Sequence, residues 1–416
     1  MLVGNGVASG RGSISAAKCR LCRDQEALPR GYLTGASGKD AGIQPETQLD
    51  TPQVPPAPKP TILDFLRQVV EQKCSDLHIK AGSPPSVRLS GRLIKTEFPR
   101  MSAPECREAA AALMDDEQLA HLNRVGEVDF AYSHPGVGRF RVNVHHQRGS
   151  VALAARLVLP GAPDFNSLGL PPAVEALANE HRGLLLVTGP TSSGKTTTTG
   201  AIMNHINATR PCHILTIEDP IEILHQDLMA VVTQREIGQD TKGFGPALRA
   251  AMRQDPDVIF VGEIRDTETV EAALQAAETG HFVIATLHTT NVAETVNRVI
   301  DFFPPHQAKQ ARVGLASSLV GVISQRLLPR VGGGRAAAIE IMVMNGRIHD
   351  LLLKPEQTHM IQDIISESSY YGMQTFDQAL LNLFRAGVVE LEDARSGATN
   401  QTDFDLQLRQ EGLQPI

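Results

Sequence analysis

The chain contains no tryptophan, only four tyrosines and only five cysteines, and it has no long uninterrupted apolar run. The odd number and wide scatter of the cysteines argue against the disulfide framework of a small secreted protein. A membrane-spanning helix needs about 18 to 20 consecutive apolar residues, and neither such a run nor the apolar core of a signal peptide is present. These absences predict a cytoplasmic protein without a transmembrane segment.

Acidic residues also outnumber basic ones. The chain has 39 lysines and arginines and 46 aspartates and glutamates, which gives a formal net charge of -7. A protein whose main task is to neutralise phosphate backbones needs the opposite sign, so nucleic acid is not expected as the primary partner. The 416 residues predict two or three domains, at roughly 100 to 200 residues each.

Residues 1–60 show no sustained periodicity and end in ten residues of which five are proline. We therefore expect a disordered extension and a stiff linker in this part of the chain. Cys19 and Cys22 have C-x-x-C spacing, but no second pair follows, and the spacing alone does not predict a metal or redox site.

A smaller α+β domain is predicted over residues 61–160. Thr61 and Asp64 suit a capping box at the start of a helix, and alternating residues predict strands at 76–79, within 88–95 and at 139–144. In the last of these strands the polar residues Arg139, Arg141 and Asn143 share one face, and Arg156 follows on a further apolar stretch. An ordinary solvated sheet surface explains such a face equally well.

A parallel α/β sheet is predicted over residues 166–395, where short apolar runs are separated by segments of helix length. The runs lie at residues 183–188, 214–217, 258–261 and 282–285. Residues 396–416 are predicted to form a carboxy-terminal tail.

A P-loop follows the first of these runs directly and opens a segment that can continue as a helix, which is the setting this motif requires. Its predicted phosphate-binding residues are Gly189, Pro190, Thr191, Ser192, Ser193, Gly194, Lys195, Thr196 and Thr197. Backbone N–H groups and the helix amino terminus attract phosphate, Lys195 reaches the β- and γ-phosphates, and Thr196 ligates magnesium. The predicted ligands are therefore ATP and Mg²⁺.

Carboxylates follow two of the predicted strands, and the carboxyl ends of parallel strands are where such sheets bind ligands. Glu218 is a candidate for orienting water, although the spacing also allows Asp219 as a helix cap and Glu222 as a surface acid. Glu263 follows the apolar run at 258–261 and resembles the carboxylate of a Walker B element, with Glu in place of Asp. It can hold magnesium or polarise the attacking water, and we predict that it is catalytic.

Two histidines bracket the last apolar run, with His281 before it and His288 after it. His288 is predicted at the carboxyl edge, where it could sense a γ-phosphate, whereas His281 is expected at the far end of the strand. A lone histidine is usually structural, and this spacing supplies no metal geometry, so the pattern alone favours a structural role for both.

Taken together, these motifs resemble the type II/IV secretion ATPase superfamily, specifically its type IV pilus retraction ATPase family of PilT/PilU type. The segments that carry the resemblance are GPTSSGKT, TIEDPIE, MRQDPDVIFVGEIRD, AAETGH and TLHTT, within residues 61–395. The resemblance implies a PAS-like domain before a RecA-like P-loop ATPase domain, assembled as a homo-hexameric ring. It also implies catalytic roles for His281 and His288, and that Arg139, Arg141 and Arg156 approach the nucleotide phosphates.

The same resemblance implies Mg²⁺-dependent ATP hydrolysis that drives pilus retraction and twitching motility, with an inner-membrane platform protein as partner. Assembly ATPases carry a zinc-binding tetracysteine insertion, whereas this chain has no cysteine after Cys212, which disfavours pilus extension. Retraction enzymes typically read AIRNLIRE where residues 347–354 read RIHDLLLK. This departure is closer to the accessory PilU-type paralogue, which works beside a second retraction ATPase. A non-hydrolysing nucleotide-binding scaffold and a secretion or DNA-uptake motor are the alternatives.

Overall fold

The computed structural model describes residues 60–89 and 91–413 and divides the chain into two compact units between Leu157 and Val158. Of the predicted extension over residues 1–60, only Pro60 is among the described residues, so Cys19 and Cys22 lie outside them. Each unit has a hydrophobic core of its own.

The amino-terminal unit is built from one antiparallel sheet and three helices in its described part. Its elements are α1 (Ile62–Glu71), β1 (Asp76–Lys80), β2 (Ser86–Leu89), β3 (Arg92–Lys95), α2 (Ala103–Ala111), α3 (Asp116–Val125), β4 (Glu127–His134), β5 (Gly138–Gln147) and β6 (Ser150–Pro160). The strands lie in the order β3-β2-β1-β6-β5-β4. The sheet and its helices confirm the predicted α+β fold class.

Local patterns explain most of these elements. The Thr61–Asp64 capping box opens α1 as predicted, and β5 buries alternate apolar residues while Arg139, Arg141 and Asn143 share its other face. The strand predicted within residues 88–95 is present as β3, and the same segment contains the turn of the β2–β3 hairpin. Gly91 lies there with φ of +81°, a conformation in which the chain can reverse.

The second unit contains a larger sheet covered by helices. Its elements begin with α4 (Phe165–Leu168), α5 (Pro172–Ala178), β7 (Gly183–Thr188), α6 (Lys195–Thr209), β8 (His213–Glu218), β9 (Ile223–Leu224), β10 (Val231–Glu236), α7 (Phe244–Ala251), β11 (Val258–Val261), α8 (Thr267–Glu278), β12 (Phe282–Leu287) and α9 (Val292–Asp301). They continue with α10 (Ala308–Ser318), β13 (Leu319–Pro329), β14 (Arg335–Val343), α11 (Gly346–Leu352), α12 (Ile361–Glu367), α13 (Phe376–Arg385), α14 (Leu391–Gly397) and α15 (Gln401–Gln410). Short 3₁₀ segments precede α12 and α13.

The sheet of this unit has the strand order β10-β8-β11-β12-β7-β13-β14. All neighbours up to β13 pair in parallel, which confirms the predicted parallel α/β sheet. The last strand, β14, pairs antiparallel with β13, and neither of these strands nor β10 was predicted. Every residue of β7, β11 and β12 is buried, which is why these strands read as continuous apolar runs.

The carboxy-terminal helices α13, α14 and α15 form a separate apolar cluster beside β13 and β14. Phe404 and Leu408 of α15 are fully buried in it, together with Phe376 and Leu380 of α13. The boundary predicted at residue 395 falls inside α14, and residues 401–410 form a packed helix. In the described part of the chain, no helix combines the length and apolar character needed to span a membrane.

Candidate active site

The P-loop turns sharply between the end of β7 and the start of α6. Gly189 has φ of +148° and Gly194 has φ of +91°, conformations that side chains with a Cβ rarely adopt. A Cβ on Gly189 would lie 2.5 Å from the carbonyl oxygen of Gln325 and 2.5 Å from Oγ of Ser193. The curl therefore requires glycine at this position for steric as well as conformational reasons.

Lys195, the first residue of α6, points back over the loop. Its Nζ donates to the carbonyl oxygens of Gly189 at 2.7 Å and Pro190 at 3.1 Å. Burial lowers the pKa of Lys195, while the carboxylates of Glu263 and Glu222 act in the opposite direction. The ammonium group is thus held at the phosphate-binding loop, where the two carboxylates offset only part of the effect of burial.

A cavity of about 500 Å³ lies at the carboxyl ends of β7, β8, β11 and β12. Residues 191–197 of the P-loop line it, together with Glu218, Asp219, Glu222, Glu263 and His288. All the residues that line the cavity belong to the second unit. The structure thus brings the predicted P-loop, both predicted catalytic glutamates and His288 into one cleft.

Glu218 ends β8 as predicted and is almost completely buried. Burial raises its pKa, although Oε1 accepts hydrogen bonds from Oγ1 of Thr216 at 2.7 Å and Nε2 of Gln234 at 3.1 Å. A buried carboxylate with a raised pKa is a stronger proton acceptor than an exposed one. Glu222 is exposed at the cavity wall.

Glu263 is held from two sides. Its Oε2 accepts from Nε of Arg265 at 2.9 Å and from Nη2 at 2.8 Å, and its Oε1 lies 3.2 Å from Nε2 of His288. Arg265 also pairs with Asp219 at 3.1 Å, so Asp219 holds Arg265 instead of capping a helix. The hydrogen bond and charge of Glu263, together with Asp219, raise the pKa of Arg265.

His288 connects Lys195 to Glu263. Its Nδ1 lies 3.3 Å from Nζ of Lys195, and its Nε2 faces the carboxylate of Glu263. Because an ammonium group only donates, Nδ1 must accept, and Nε2 then carries the proton that is donated to Glu263. The imidazole thus joins the cation at the P-loop to the carboxylate at the end of β11.

The chain has clear relatives among known proteins. Residues 164–339 match the family described as type II/IV secretion system protein. The type IV pilus retraction ATPase PilT of Pseudomonas aeruginosa is 41% identical over 343 residues, which cover 82% of this chain and 99% of that protein. The chain belongs to the type IV pilus retraction ATPase family.

Other relatives support this membership in the secretion ATPase superfamily. The type IV pilus ATPase PilU of the same Pseudomonas strain is 39% identical over 346 residues, 83% of this chain and 90% of that protein. A crystal structure of the pilus retraction motor PilT with bound ADP is 45% identical, has a TM-score of 0.76 and covers 83% of this chain and 99% of its own. The predicted family and the RecA-like P-loop fold of the retraction ATPases are confirmed.

The residues predicted to bind magnesium in this family member suit that ion. Thr196 is exposed on the first turn of α6, and Glu263 lines the same cavity, so both offer oxygen ligands. Glu263 still has lone pairs beyond its bonds to Arg265 and His288. Within residues 60–89 and 91–413, no group of three or more His, Cys, Asp or Glu forms a ready-made metal site. Magnesium held mainly by phosphates needs only one or two protein ligands.

His281 does not line this cleft. It precedes β12, whereas His288 follows the strand, and the six residues of β12 lie between them, a span of roughly 20 Å. Nδ1 of His281 lies 3.0 Å from the carbonyl oxygen of Ala276 near the end of α8. The expected position at the far end of the strand agrees with the structure, and a catalytic role for His281 stays a prediction.

The three predicted arginines belong to the amino-terminal unit. Arg139 donates to Oγ of Ser133 at 2.9 Å, and Arg141 is exposed on the same strand. Nε of Arg156 donates to Asp76 at 2.8 Å, although 71% of the Arg156 side chain is exposed. Their approach to nucleotide phosphates stays a prediction.

Two residues that contact the P-loop or line the cleft were not predicted to have a role. Arg265 stands two residues after Glu263, and its charge beside a predicted catalytic carboxylate was the signal available in the sequence. Gln325 lies on β13, and its Nε2 donates to the carbonyl oxygen of Ser193 at 2.6 Å. No local pattern marks Gln325, because its contact with the P-loop depends on β13 lying next to β7.

Proposed function

We propose that this chain is a Mg²⁺-dependent ATPase that assembles as a homo-hexameric ring and drives retraction of a type IV pilus, and hence twitching motility. The observation that carries the proposal is the His288 bridge, which joins Lys195 of the P-loop to Glu263 at the end of β11. Such a cleft serves phosphoryl transfer, because a cation at the phosphate-binding loop and a carboxylate line the same cavity.

The chemistry of the proposal is positioning and charge neutralisation, without a covalent intermediate. ATP would bind with its phosphates in the P-loop, where Lys195 neutralises the β- and γ-phosphates. Magnesium, held by Thr196 and Glu263, would supply additional positive charge. Glu263 then orients water for in-line attack, and the buried Glu218 assists as a proton acceptor.

The ring and its partners form the part of the proposal that rests on relatives. Arginines 139, 141 and 156 would stabilise the transferring phosphoryl group, and such arginines contribute on the order of 10³ to 10⁵ in rate. The ring would work at the cytoplasmic face of the inner membrane, on the pilus platform protein. PilT and PilU relatives are 41% and 39% identical, so identity alone does not separate a principal from an accessory motor.

Steady-state phosphate release by Glu263→Gln tests the catalytic assignment. We expect this variant to keep its nucleotide affinity and to lose turnover by roughly 10²- to 10⁴-fold, because the carboxylate that orients water is gone. Glu268→Gln is the matched control, since Glu268 is a half-exposed carboxylate on α8 that pairs with Arg249 and does not line the cleft.

The outcomes separate the remaining alternatives. Phosphate release by Glu263→Gln at the parental rate would overturn the assignment and make Glu218 the next candidate. A parental protein that binds nucleotide but shows no sustained, magnesium-dependent release would be a scaffold. A deletion strain tested separately for twitching, secretion and DNA uptake distinguishes a retraction motor from the related motors.

A further inference from the structure

The loop that follows β12 places two neighbouring residues in contrasting surroundings. His288 reaches the cleft between Lys195 and Glu263, and about half of its side chain is exposed. The next residue, Thr289, is only 4% exposed and does not line the cavity that contains the P-loop. Whatever holds Thr289 therefore limits where the imidazole can go.

Thr289 is held by α9. Its Oγ1 lies 2.6 Å from Oγ1 of Thr295, which is fully buried. The single hydroxyl proton of Thr295 goes to the carbonyl oxygen of Asn291 at 2.7 Å, because a carbonyl can only accept. Thr289 therefore donates to Thr295, so the hydroxyl protons of both threonines take part in hydrogen bonds.

The hydrogen-bonded pair Thr289–Thr295 also lies next to the residue that precedes the P-loop. Oγ1 of Thr295 lies 3.4 Å from Oγ1 of Thr188, the last residue of β7, directly before Gly189. Thr188 in turn shares a 2.8 Å hydrogen bond with Ser324 of β13, and both are fully buried. Buried hydroxyls thus link the entrance of the P-loop, α9 and the loop that carries His288.

The first turn of α9, which precedes Thr295, is held by further hydrogen bonds. Asn291 caps α9 by accepting from the backbone N–H of Glu294 at 2.9 Å. The buried carboxylate of Glu340 accepts from the N–H of Val292 at 2.7 Å, and Gln362 donates to its other oxygen at 2.7 Å. The first turn of α9 is therefore fixed to β14 and α12, so Thr295 offers Thr289 a rigid partner.

We propose that Thr289 is a positioning residue for His288. Its hydrogen bond to Thr295 fixes the loop after β12 and so keeps the imidazole between Nζ of Lys195 and Oε1 of Glu263. This inference rests on the proposed function, because it concerns the hydrolytic role of that bridge. Thr289 touches neither nucleotide nor water in this scheme and acts only through His288.

The test compares Thr289→Val, which removes the hydroxyl, with Thr289→Ser, which keeps it. We expect Thr289→Val to lower kcat by roughly 10- to 100-fold with little change in nucleotide affinity, the effect of a misplaced catalytic group. Thr289→Ser should restore most of the rate. Thr358→Val is the matched control, since Thr358 is equally buried and bonds the carbonyl oxygen of Pro355 outside the cleft.

A double-mutant cycle separates positioning from general stabilisation. In a His288→Asn background, Thr289→Val should cause no further loss of kcat, because the group that it positions is already absent. If the loss is the same in both backgrounds, or if Thr289→Val turns over like the parent, the inference is wrong. If Thr289→Val does not fold, Thr289→Ala is measured instead, because it also lacks the hydroxyl.

The parental measurement keeps this inference distinct from the proposed function. A parental protein that releases no phosphate with magnesium overturns the proposed function and, with it, the role of Thr289. A parental protein that hydrolyses ATP while His288→Asn remains fully active leaves the proposed function intact and overturns the role of Thr289 alone.

Discussion

Nε2 of Gln325 donates a hydrogen bond of 2.6 Å to the carbonyl oxygen of Ser193 and thereby ties β13 to the last turn of the P-loop. Both residues are buried, so water cannot easily replace this bond. The backbone of Gln325 also closes the space beside Gly189. The shape of the phosphate-binding loop thus depends on a strand 132 residues further along the chain.

Gln325→Met should weaken nucleotide binding by roughly tenfold, because the carbonyl oxygen of Ser193 would be buried without a donor, at a cost of about 1 to 3 kcal/mol. Titration with a fluorescent ATP analogue measures this change. Gln374→Met is the matched control, since Gln374 also donates through Nε2 to a carbonyl oxygen, that of Ile339 at 2.7 Å, outside the cleft. Equal affinities of the two variants would contradict the prediction.

Gly189→Ala should abolish nucleotide binding and lower thermal stability. Its Cβ would meet the carbonyl oxygen of Gln325 and the hydroxyl of Ser193 at 2.5 Å, in a backbone conformation that is already unfavourable for alanine. Gly238→Ala separates the two effects, because Gly238 also has positive φ, +88°, but no atom lies within 4 Å of its Cβ position. That control should lose only about 1 to 2 kcal/mol of folding stability. Calorimetry and nucleotide titration measure both properties.

Glu340 of β14 makes the stability of the second unit depend on pH. It is fully buried, and this burial raises its pKa, although the hydrogen bonds from Gln362 and Val292 act in the opposite direction. A carboxyl with a raised pKa binds its proton more tightly in the folded than in the unfolded chain. Its contribution to stability therefore falls as the pH rises from the ordinary carboxyl range to the raised value.

Glu340→Gln cannot ionise and should not show this loss. Glutamine can still accept from Val292 and, if the amide of Gln362 rotates, donate to its oxygen. We expect the Tm of Glu340→Gln relative to the parent to rise between pH 5 and pH 8, by roughly 2 to 4 °C for each kcal/mol involved. Thermal unfolding at several pH values checks this sign. A Tm difference that stays constant or falls contradicts the prediction.

Much of the fold was predictable because local sequence patterns indicate it. The fully buried strands β7, β11 and β12 appear in the sequence as apolar runs, and the P-loop follows the first of them. The acids Glu218 and Glu263 were found because they stand where strands end. The strands β10, β13 and β14 were not predicted, and nothing in the residues of β14 distinguishes the direction in which it pairs.

The amino-acid sequence by itself determined the family, the phosphate-binding loop and the carboxylates that face it, because each depends on residues close together in the chain. Only the tertiary structure decided that His288 bridges Lys195 and Glu263, that Gln325 supports Ser193, and that Thr289 is anchored on α9. These contacts depend on strand order and on which helix covers which strand. Spacing along the sequence does not give the distances between segments that come together only after folding.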